Sequence, residues 1–164
     1  METERLILRE ATPDDAPFVL ALLTDPAFLE MIGDRGVTTV DEARAYIGSA
    51  LIFRYSEGLG FNVVEVKGRG EPVGTCGLVK REGLDDPDVG YAFLTAAVGH
   101  GYASEAVRAT LEHACRDLGL TRVAAIVSPH NHRSIRVLEG AGLHRERLIR
   151  LAEDAPELLL YATG

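Results

Sequence analysis

Apolar and polar residues alternate with a period that changes along the chain, and the first third predicts one strand followed by two helices. Residues 5–9 read Arg-Leu-Ile-Leu-Arg, a short β-type run. Thr12, followed at once by proline and three residues later by Asp15, has the pattern of a helix N-cap with a capping box. Thr39 repeats this signal with a glutamate three residues later, and we expect the second helix to run to about Tyr55.

The middle of the chain changes to a β-type pattern. Residues 61–67 and 72–80 are β-rich runs joined by a turn-like Gly-Arg-Gly-Glu, which predicts a hairpin. After a polar loop, residues 88–95 form a further predicted strand.

The last part of the chain alternates helices with strands. A helical apolar stripe after residue 101 predicts a long helix that ends near Gly119. Residues 122–128 indicate a central strand covered on both faces, and residues 132–141 predict a short helix before a closing hairpin. There is no repeat and no linker, so residues 1–164 are predicted to form a single mixed α/β domain.

Composition narrows the class of partner. The chain has 17 Lys and Arg against 25 Asp and Glu, a net charge of −8, which argues against nucleic-acid binding and mildly favours a cationic acceptor such as an amine.

Cys76 and Cys115 are too few and too scattered for a disulfide framework or a zinc site. The N-terminus has no apolar signal core and no run is long enough to span a bilayer, so we expect no membrane contact and a cytoplasmic location.

The segment with the clearest chemistry is Gly99-His100-Gly101, which lies between a predicted strand and a predicted helix. Glycines at such a junction let backbone N–H groups turn toward an anion, and the helix N-terminus adds unpaired donors and partial positive charge. The alternative is a tight turn without a ligand. A Rossmann fingerprint and a P-loop both require further residues that this loop lacks.

Four ordered segments of the chain resemble the GNAT acetyltransferases. Residues 98–106, Val-Gly-His-Gly-Tyr-Ala-Ser-Glu-Ala, are similar to the acetyl-CoA pyrophosphate motif of that superfamily, and residues 131–143 are similar to its second cofactor motif. Residues 88–91, Asp-Val-Gly-Tyr, and residues 3–9 resemble strands of the branch that acetylates ribosomal-protein N-termini, the Rim type. The resemblance therefore spans nearly the whole chain.

The resemblance implies a GNAT-like fold with a central mixed, mostly antiparallel sheet of six to seven strands flanked by about four helices. It implies acetyl-CoA as co-substrate, no metal, and direct transfer of the acetyl group to a primary amine, either a protein N-terminus or a small molecule, in a ternary complex. The residues that it predicts to bind the cofactor lie on the fourth predicted strand, in the glycine loop with the helix start behind it, and directly before the last predicted helix: Phe93, Leu94, Thr95, Gly99, His100, Gly101, Tyr102, Ala103, Ser104 and Asn131.

Three positions depart from the family pattern, and one of them, Leu143 in place of an aromatic residue, is a core change of little consequence. Ala96 stands where an arginine or glutamine usually lies beside the phosphates, and Leu138 stands where many relatives have a tyrosine that protonates the departing thiolate. Ser134 is therefore the first candidate for that proton donor, and Asp88 is the candidate general base. Asp88 could instead be a solvated strand end, Ser134 a solvated residue of a first helical turn, and Asn131 simply a helix cap.

Other chemistry has less support. The acids of residues 153–157 are alternative bases, whereas His130 and His132 lack a third metal ligand. A non-catalytic acyl-CoA sensor or scaffold of the same fold, and a structural domain without ligand, remain as alternatives. The sequence leaves open the acceptor and the choice between monomer and homodimer.

Overall fold

A computed structural model describes residues 1–164 as seven β-strands and five α-helices. The strands are β1 (Leu6–Arg9), β2 (Gly60–Val66), β3 (Pro72–Val79), β4 (Asp88–Phe93), β5 (Ala124–Val127), β6 (His144–Ile149) and β7 (Leu158–Ala162). The helices are α1 (Ala16–Leu23), α2 (Pro26–Met31), α3 (Val40–Tyr46), α4 (Tyr102–Arg116) and α5 (His132–Gly140).

The seven strands form one sheet in the order β1-β2-β3-β4-β5-β7-β6. Every neighbouring pair is antiparallel except β4 and β5, which run parallel. The predicted β2–β3 hairpin and the predicted closing hairpin, β6–β7, are both present. The mixed, mostly antiparallel sheet that the resemblance implied is thus confirmed.

Helices cover both faces of the sheet and define two apolar cores. One core packs α4 and α5, the latter with Leu138, against strand side chains such as Val64 and Val89. The other packs α1, α2 and α3 against the opposite face, where Val63 and Ala92 lie. Because strand side chains alternate between faces, each strand presents different residues to the two cores.

The two predicted capping boxes are present and begin their helices as expected. The Asp15 carboxylate accepts the Thr12 N–H at 2.8 Å, at a short 3-10 turn that leads into α1. Thr39 Oγ1 accepts the N–H of Glu42 at 3.1 Å at the start of α3.

The structure corrects two predicted element boundaries and adds one helix that was not predicted. The α-helical geometry of α3 ends at Tyr46 and continues as a π-helical turn over Ile47–Leu51, well short of residue 55. Strand β4 ends at Phe93, because the next residues form a 3-10 turn over Thr95–Ala97. Helix α2 was not predicted, since its six residues are too short to show a periodic pattern. No helix of the structure is both long and apolar enough to cross a membrane.

Candidate active site

A cavity of about 610 Å³ opens where β4 and β5 separate at the centre of the sheet. The two strands pair only at Asp88 and Ala124, whereas β4 pairs with β3 along its whole length. Beyond that single pair the strands diverge. The cavity between them is lined by residues from α1 to α3 on one face and from α5 on the other.

The edge of β4 that faces this cavity carries free backbone groups. The Leu94 N–H donates to the Val73 carbonyl at 2.9 Å, so Leu94 is bonded toward β3. Antiparallel pairing alternates, and the N–H and C=O groups of Phe93 and Tyr91 consequently point away from β3 toward the cavity. The prediction of free groups near residues 93 and 94 therefore holds for Phe93. It is wrong for Leu94, whose carbonyl also accepts the Ala97 N–H.

The polar groups of Thr95 are occupied by a contact that the sequence did not indicate. Its N–H and its Oγ1 donate to the two oxygens of the Asp25 carboxylate at 3.0 and 2.6 Å. Asp25 also accepts the Ala27 N–H at 2.9 Å as the N-cap of α2. The available signal was an aspartate directly before Pro26, which is typical of a helix start. Thr95 thus anchors α2 to the end of β4, and neither its N–H nor its O–H is free to donate to a ligand.

The glycine loop and the first turn of α4 present a row of unpaired donors. Gly99 and Gly101 have φ of 89° and 79°, in the left-handed region that glycine tolerates. The first N–H of this segment with an intramolecular partner belongs to Glu105, which donates to the Gly101 carbonyl at 3.1 Å. None of the six preceding N–H groups, at residues 99–104, has a hydrogen-bond partner in the protein. The predicted loop residues therefore lie together with their N–H groups unpaired, as an anion-binding site requires.

Arg5 holds this loop through a hydrogen bond to its backbone. Its Nη1 donates to the His100 carbonyl at 2.8 Å, and its Nε lies 2.7 Å from a carboxylate oxygen of Glu105. Its guanidinium carbon lies 5.0 Å from the centre of the Tyr102 ring, which stacks on His100. Because the peptide unit is planar and trans, a bond to the His100 carbonyl directs the N–H of Gly101 to the opposite side. Sequence reasoning missed Arg5. Its guanidinium places a positive charge next to the loop, where Ala96 stands in place of the arginine or glutamine that is usual in the family.

Asp88 is a buried carboxylate at the start of β4. Its side chain is 1% exposed and lies 3.0 Å from the Arg81 Nε. Burial raises the pKa of Asp88, while the charge of Arg81 acts in the opposite direction. By strand alternation Asp88 shares its face with Ala92, which packs with α1 and α3. Asp88 is therefore not a solvated strand end but a cavity residue on the α1–α3 face.

Residues at the start of α5 line the cavity on the other face of the sheet. The Asn131 side chain accepts the Ser134 N–H at 3.1 Å, so the predicted cap is present. Ser134 also lines the cavity. The Tyr91 hydroxyl donates to the Ser134 carbonyl at 3.4 Å, and burial raises the pKa of Tyr91 to about 12. Tyr91 thus brings a protonated hydroxyl to the same place.

The alternative base candidates near the C-terminus lie apart from the cavity. None of the C-terminal acids lines it, and Glu157 instead pairs with Arg150 at 3.4 Å. Leu138, in the position of the missing tyrosine, is buried in the α4–α5 core and also lines the cavity, with a side chain that has no proton to donate.

A sheet opened by two diverging strands, with a backbone anion cradle at the end of one of them, defines a class of acyl-CoA-dependent transferase. Comparison with known proteins agrees. The family model of the acetyltransferase (GNAT) domain matches residues 5–144. The chain belongs to the GNAT acetyltransferase family.

Individual relatives give the same result. The uncharacterized N-acetyltransferase p20 of Bacillus licheniformis is 32% identical over 163 residues, which cover 96% of this chain and 89% of that protein. The crystal structure of a GNAT-family acetyltransferase from Bacillus anthracis is 27% identical with a TM-score of 0.81, covering 99% of this chain and 96% of the other. RimL, a ribosomal alpha-N-protein acetyltransferase in complex with coenzyme A, shares the fold with a TM-score of 0.83 at 19% identity, covering 98% and 94%.

These comparisons confirm the predicted family and the predicted class of enzyme, an acetyl-CoA-dependent acetyltransferase. RimL is one of several structures with this fold, so the closer resemblance to the ribosomal-protein branch stays a prediction.

Proposed function

We propose that this protein transfers the acetyl group of acetyl-CoA to a primary amine, with the pyrophosphate of the coenzyme held at residues 99–104. The observation that supports this most strongly is the row of six unpaired N–H groups at the start of α4, next to the opening between β4 and β5. Backbone donors at a helix N-terminus stabilise phosphate oxygens without a lysine. The side chain of Asn131 is proposed to contact the pantetheine arm in addition to capping α5.

In this proposal the pantetheine arm of the coenzyme runs along the free edge of β4. Its amides would pair with the backbone groups of Phe93, the first free position beyond the cradle. The next N–H on the same edge belongs to Tyr91, about 7 Å further along the strand. We assign that N–H to the thioester oxygen, because a donor at this point stabilises the oxyanion of the tetrahedral intermediate by about 3 kcal/mol.

The base and the proton donor lie on opposite faces of the sheet in this arrangement. The amine nitrogen attacks the thioester carbon, the C–S bond breaks, and the amine loses one proton. Asp88, on the α1–α3 face, is proposed to accept that proton through water, because its raised pKa makes it a stronger base than an ordinary aspartate. Ser134, on the α5 face, is proposed to give a proton to the departing thiolate and to regain one from solvent. The Tyr91 hydroxyl, which donates to the backbone carbonyl of Ser134, is a second candidate donor at the same place.

The experiment that tests this function measures release of free thiol from acetyl-CoA over a panel of amines. Acceptor-dependent thiol release, with the acetylated amine found by mass spectrometry, is the expected result. Thiol release that no amine increases would contradict the proposal.

One rival function has a specific observation in its favour. Leu138 and Ala96 remove two side chains that the family commonly uses, as a domain that binds acyl-CoA without turnover would. That domain would be stabilised by about 2.7 kcal/mol at a coenzyme concentration a hundred times its Kd, yet would release no thiol. Thermal unfolding with and without coenzyme A, beside the thiol assay, separates the two functions.

A further inference from the structure

The charge of the cavity is opposite to that of the whole protein. The chain has a net charge of −8, yet the charged residues that line the cavity are Arg35, Lys80, Arg81 and only one acid, Asp88. An acceptor that enters the cavity therefore meets more positive than negative charge.

The single acid does not neutralise these cations. Asp88 is buried and its carboxylate bonds the Nε of Arg81, while the two terminal nitrogens of that guanidinium have no hydrogen-bond partner in the protein. Gly90 lies two residues after Asp88 and therefore on the same face of the sheet. Nη2 of Arg81 lies 3.7 Å from the position that a Cβ at Gly90 would occupy. The guanidinium thus covers the floor of the cavity on the α1–α3 side.

The other two cations, unlike Arg81, lack an acidic partner. Lys80 Nζ donates to the carbonyl of Leu84 at 2.7 Å and to that of Asp85, and both are neutral groups. Arg35 is exposed in the segment after α2, and no carboxylate lies within ion-pair distance of it. Uncompensated cations at a site attract an anionic ligand and repel a polycation.

The rest of the α1–α3 side is apolar and partly exposed. Met31, Ile32 and Phe53 line the cavity and are 47%, 42% and 61% exposed. Phe28 and Tyr46 lie in the same wall. Large apolar side chains that remain this exposed beside a cavity are typical of a site that binds apolar surface.

We infer that the acceptor is an amine that also carries a carboxylate and an apolar body, in the manner of an apolar α-amino acid. This rests on the proposed function. The amine would face Asp88, the carboxylate would pair with the free nitrogens of Arg81 and with Arg35 or Lys80, and the apolar body would cover the wall formed by α1 to α3. Polyamines and other polycationic acceptors fit this site poorly.

The test compares three acceptors that differ in charge: L-leucine, L-leucinamide and spermidine. We expect kcat/KM for L-leucine to exceed that for L-leucinamide by about tenfold, equivalent to about 1.4 kcal/mol. The amine of L-leucinamide is less basic than that of L-leucine, so a larger fraction of it is the neutral nucleophile at pH 7. Basicity alone would therefore favour L-leucinamide, and a preference for L-leucine must come from its carboxylate. Equal or faster turnover of L-leucinamide or spermidine would overturn the inference while leaving the acetyltransferase function in place. Failure of all three, together with the wider amine panel, would instead count against the function itself.

A variant pair separates recognition from general electrostatics. Arg35→Gln should raise KM for L-leucine several-fold and leave KM for L-leucinamide unchanged, because only the first acceptor has a carboxylate to lose. Arg69→Gln removes the same charge from the exposed β2–β3 turn, outside the cavity, and should change neither value. Equal effects of the two variants on L-leucine would show that net charge and not a local contact is responsible, and would overturn the inference.

Discussion

Asp88 and Arg81 form an ion pair, and each has a proposed role of its own. Asp88 is proposed to accept the proton of the amine, and Arg81 to bind the carboxylate of the acceptor. Burial of Asp88 raises its pKa, and the neighbouring guanidinium opposes that rise. Because only the ionised form accepts a proton, the acidic limb of the kcat profile should lie above the range of an ordinary aspartate. Asp88→Asn should remove this limb and lower kcat by roughly 10²- to 10⁴-fold, as is usual for loss of a general base.

Arg81→Gln tests the same assignment with a predicted sign. Loss of the guanidinium removes the influence that lowers the pKa of Asp88, so the acidic limb should move to higher pH. The measurement is a kcat profile over pH at saturating acceptor. Arg122→Gln is the matched control, since Arg122 pairs with Asp86 at 2.9 Å outside the cavity and should leave the limb in place. A limb that stays put or moves to lower pH in Arg81→Gln would rule out Asp88 as the base.

Arg5 is proposed to position the cradle through the backbone and not to react. Arg5→Gln should weaken binding of coenzyme A about fivefold, since loss of one charge-assisted hydrogen bond costs on the order of 1 kcal/mol. KM for acetyl-CoA should rise while kcat at saturation stays near the original value. Titration calorimetry with coenzyme A measures the first effect, and Arg44→Gln, on the exposed face of α3, is the control. Unchanged affinity in Arg5→Gln would remove Arg5 from the cradle.

Individual residues were predictable from sequence where the signal was local. The capping residues Thr12 and Thr39 interact with acids three positions away, so a short window contains the whole motif. Arg5 was not predictable, because its partner Glu105 is a hundred residues distant and only the packing of β1 beside α4 brings them together. The bonding of Thr95 to Asp25 was hidden for the same reason.

At the scale of elements, the loop before α4 needs a glycine at residue 101 for two reasons. Its φ of 79° strains any other side chain, and a Cβ would lie 3.3 Å from the Arg5 Nη2. Gly101→Ala should therefore both strain the backbone and displace the guanidinium that orients the loop, and we expect the Kd for coenzyme A to rise at least tenfold.

Gly68→Ala separates these two effects. Gly68 has a nearly equal φ of 80° in the β2–β3 turn, and a Cβ there has no neighbour within 4 Å. Both variants should lose stability by about 1–2 kcal/mol from left-handed backbone strain. Only Gly101→Ala should lose coenzyme affinity, measured by calorimetry under conditions in which both variants are folded. Equal affinities would exclude the proposed role of the loop.

Element types were predicted better than element ends. The hairpin β2–β3 carries its own turn signal, but the change of α3 to π-helical geometry at Ile47 has no marker in the sequence. The end of β4 at Phe93 decides which backbone groups are free, and it depends on pairing with β3. The correction at Leu94 arises from that tertiary contact.

At the scale of the whole molecule, the fold was predictable because several motifs follow one another in the order of a known family. Two features of the whole molecule were not predictable: the opening between β4 and β5, and the positive charge of the cavity in an acidic protein. Both depend on residues that are distant in sequence and meet only in the fold. Net charge alone had favoured a cationic acceptor, whereas the cavity favours an anionic group on the acceptor.

The most direct test of the account is a titration of the ¹⁵N-labelled protein with coenzyme A, followed through its backbone amide resonances. The account predicts that the amides of residues 99–104 shift strongly with coenzyme A and shift little with pantetheine, which lacks the pyrophosphate. The Phe93 amide should respond to both. Binding of coenzyme A that leaves the amides of residues 99–104 unshifted would contradict the cradle, and with it the proposed mode of catalysis.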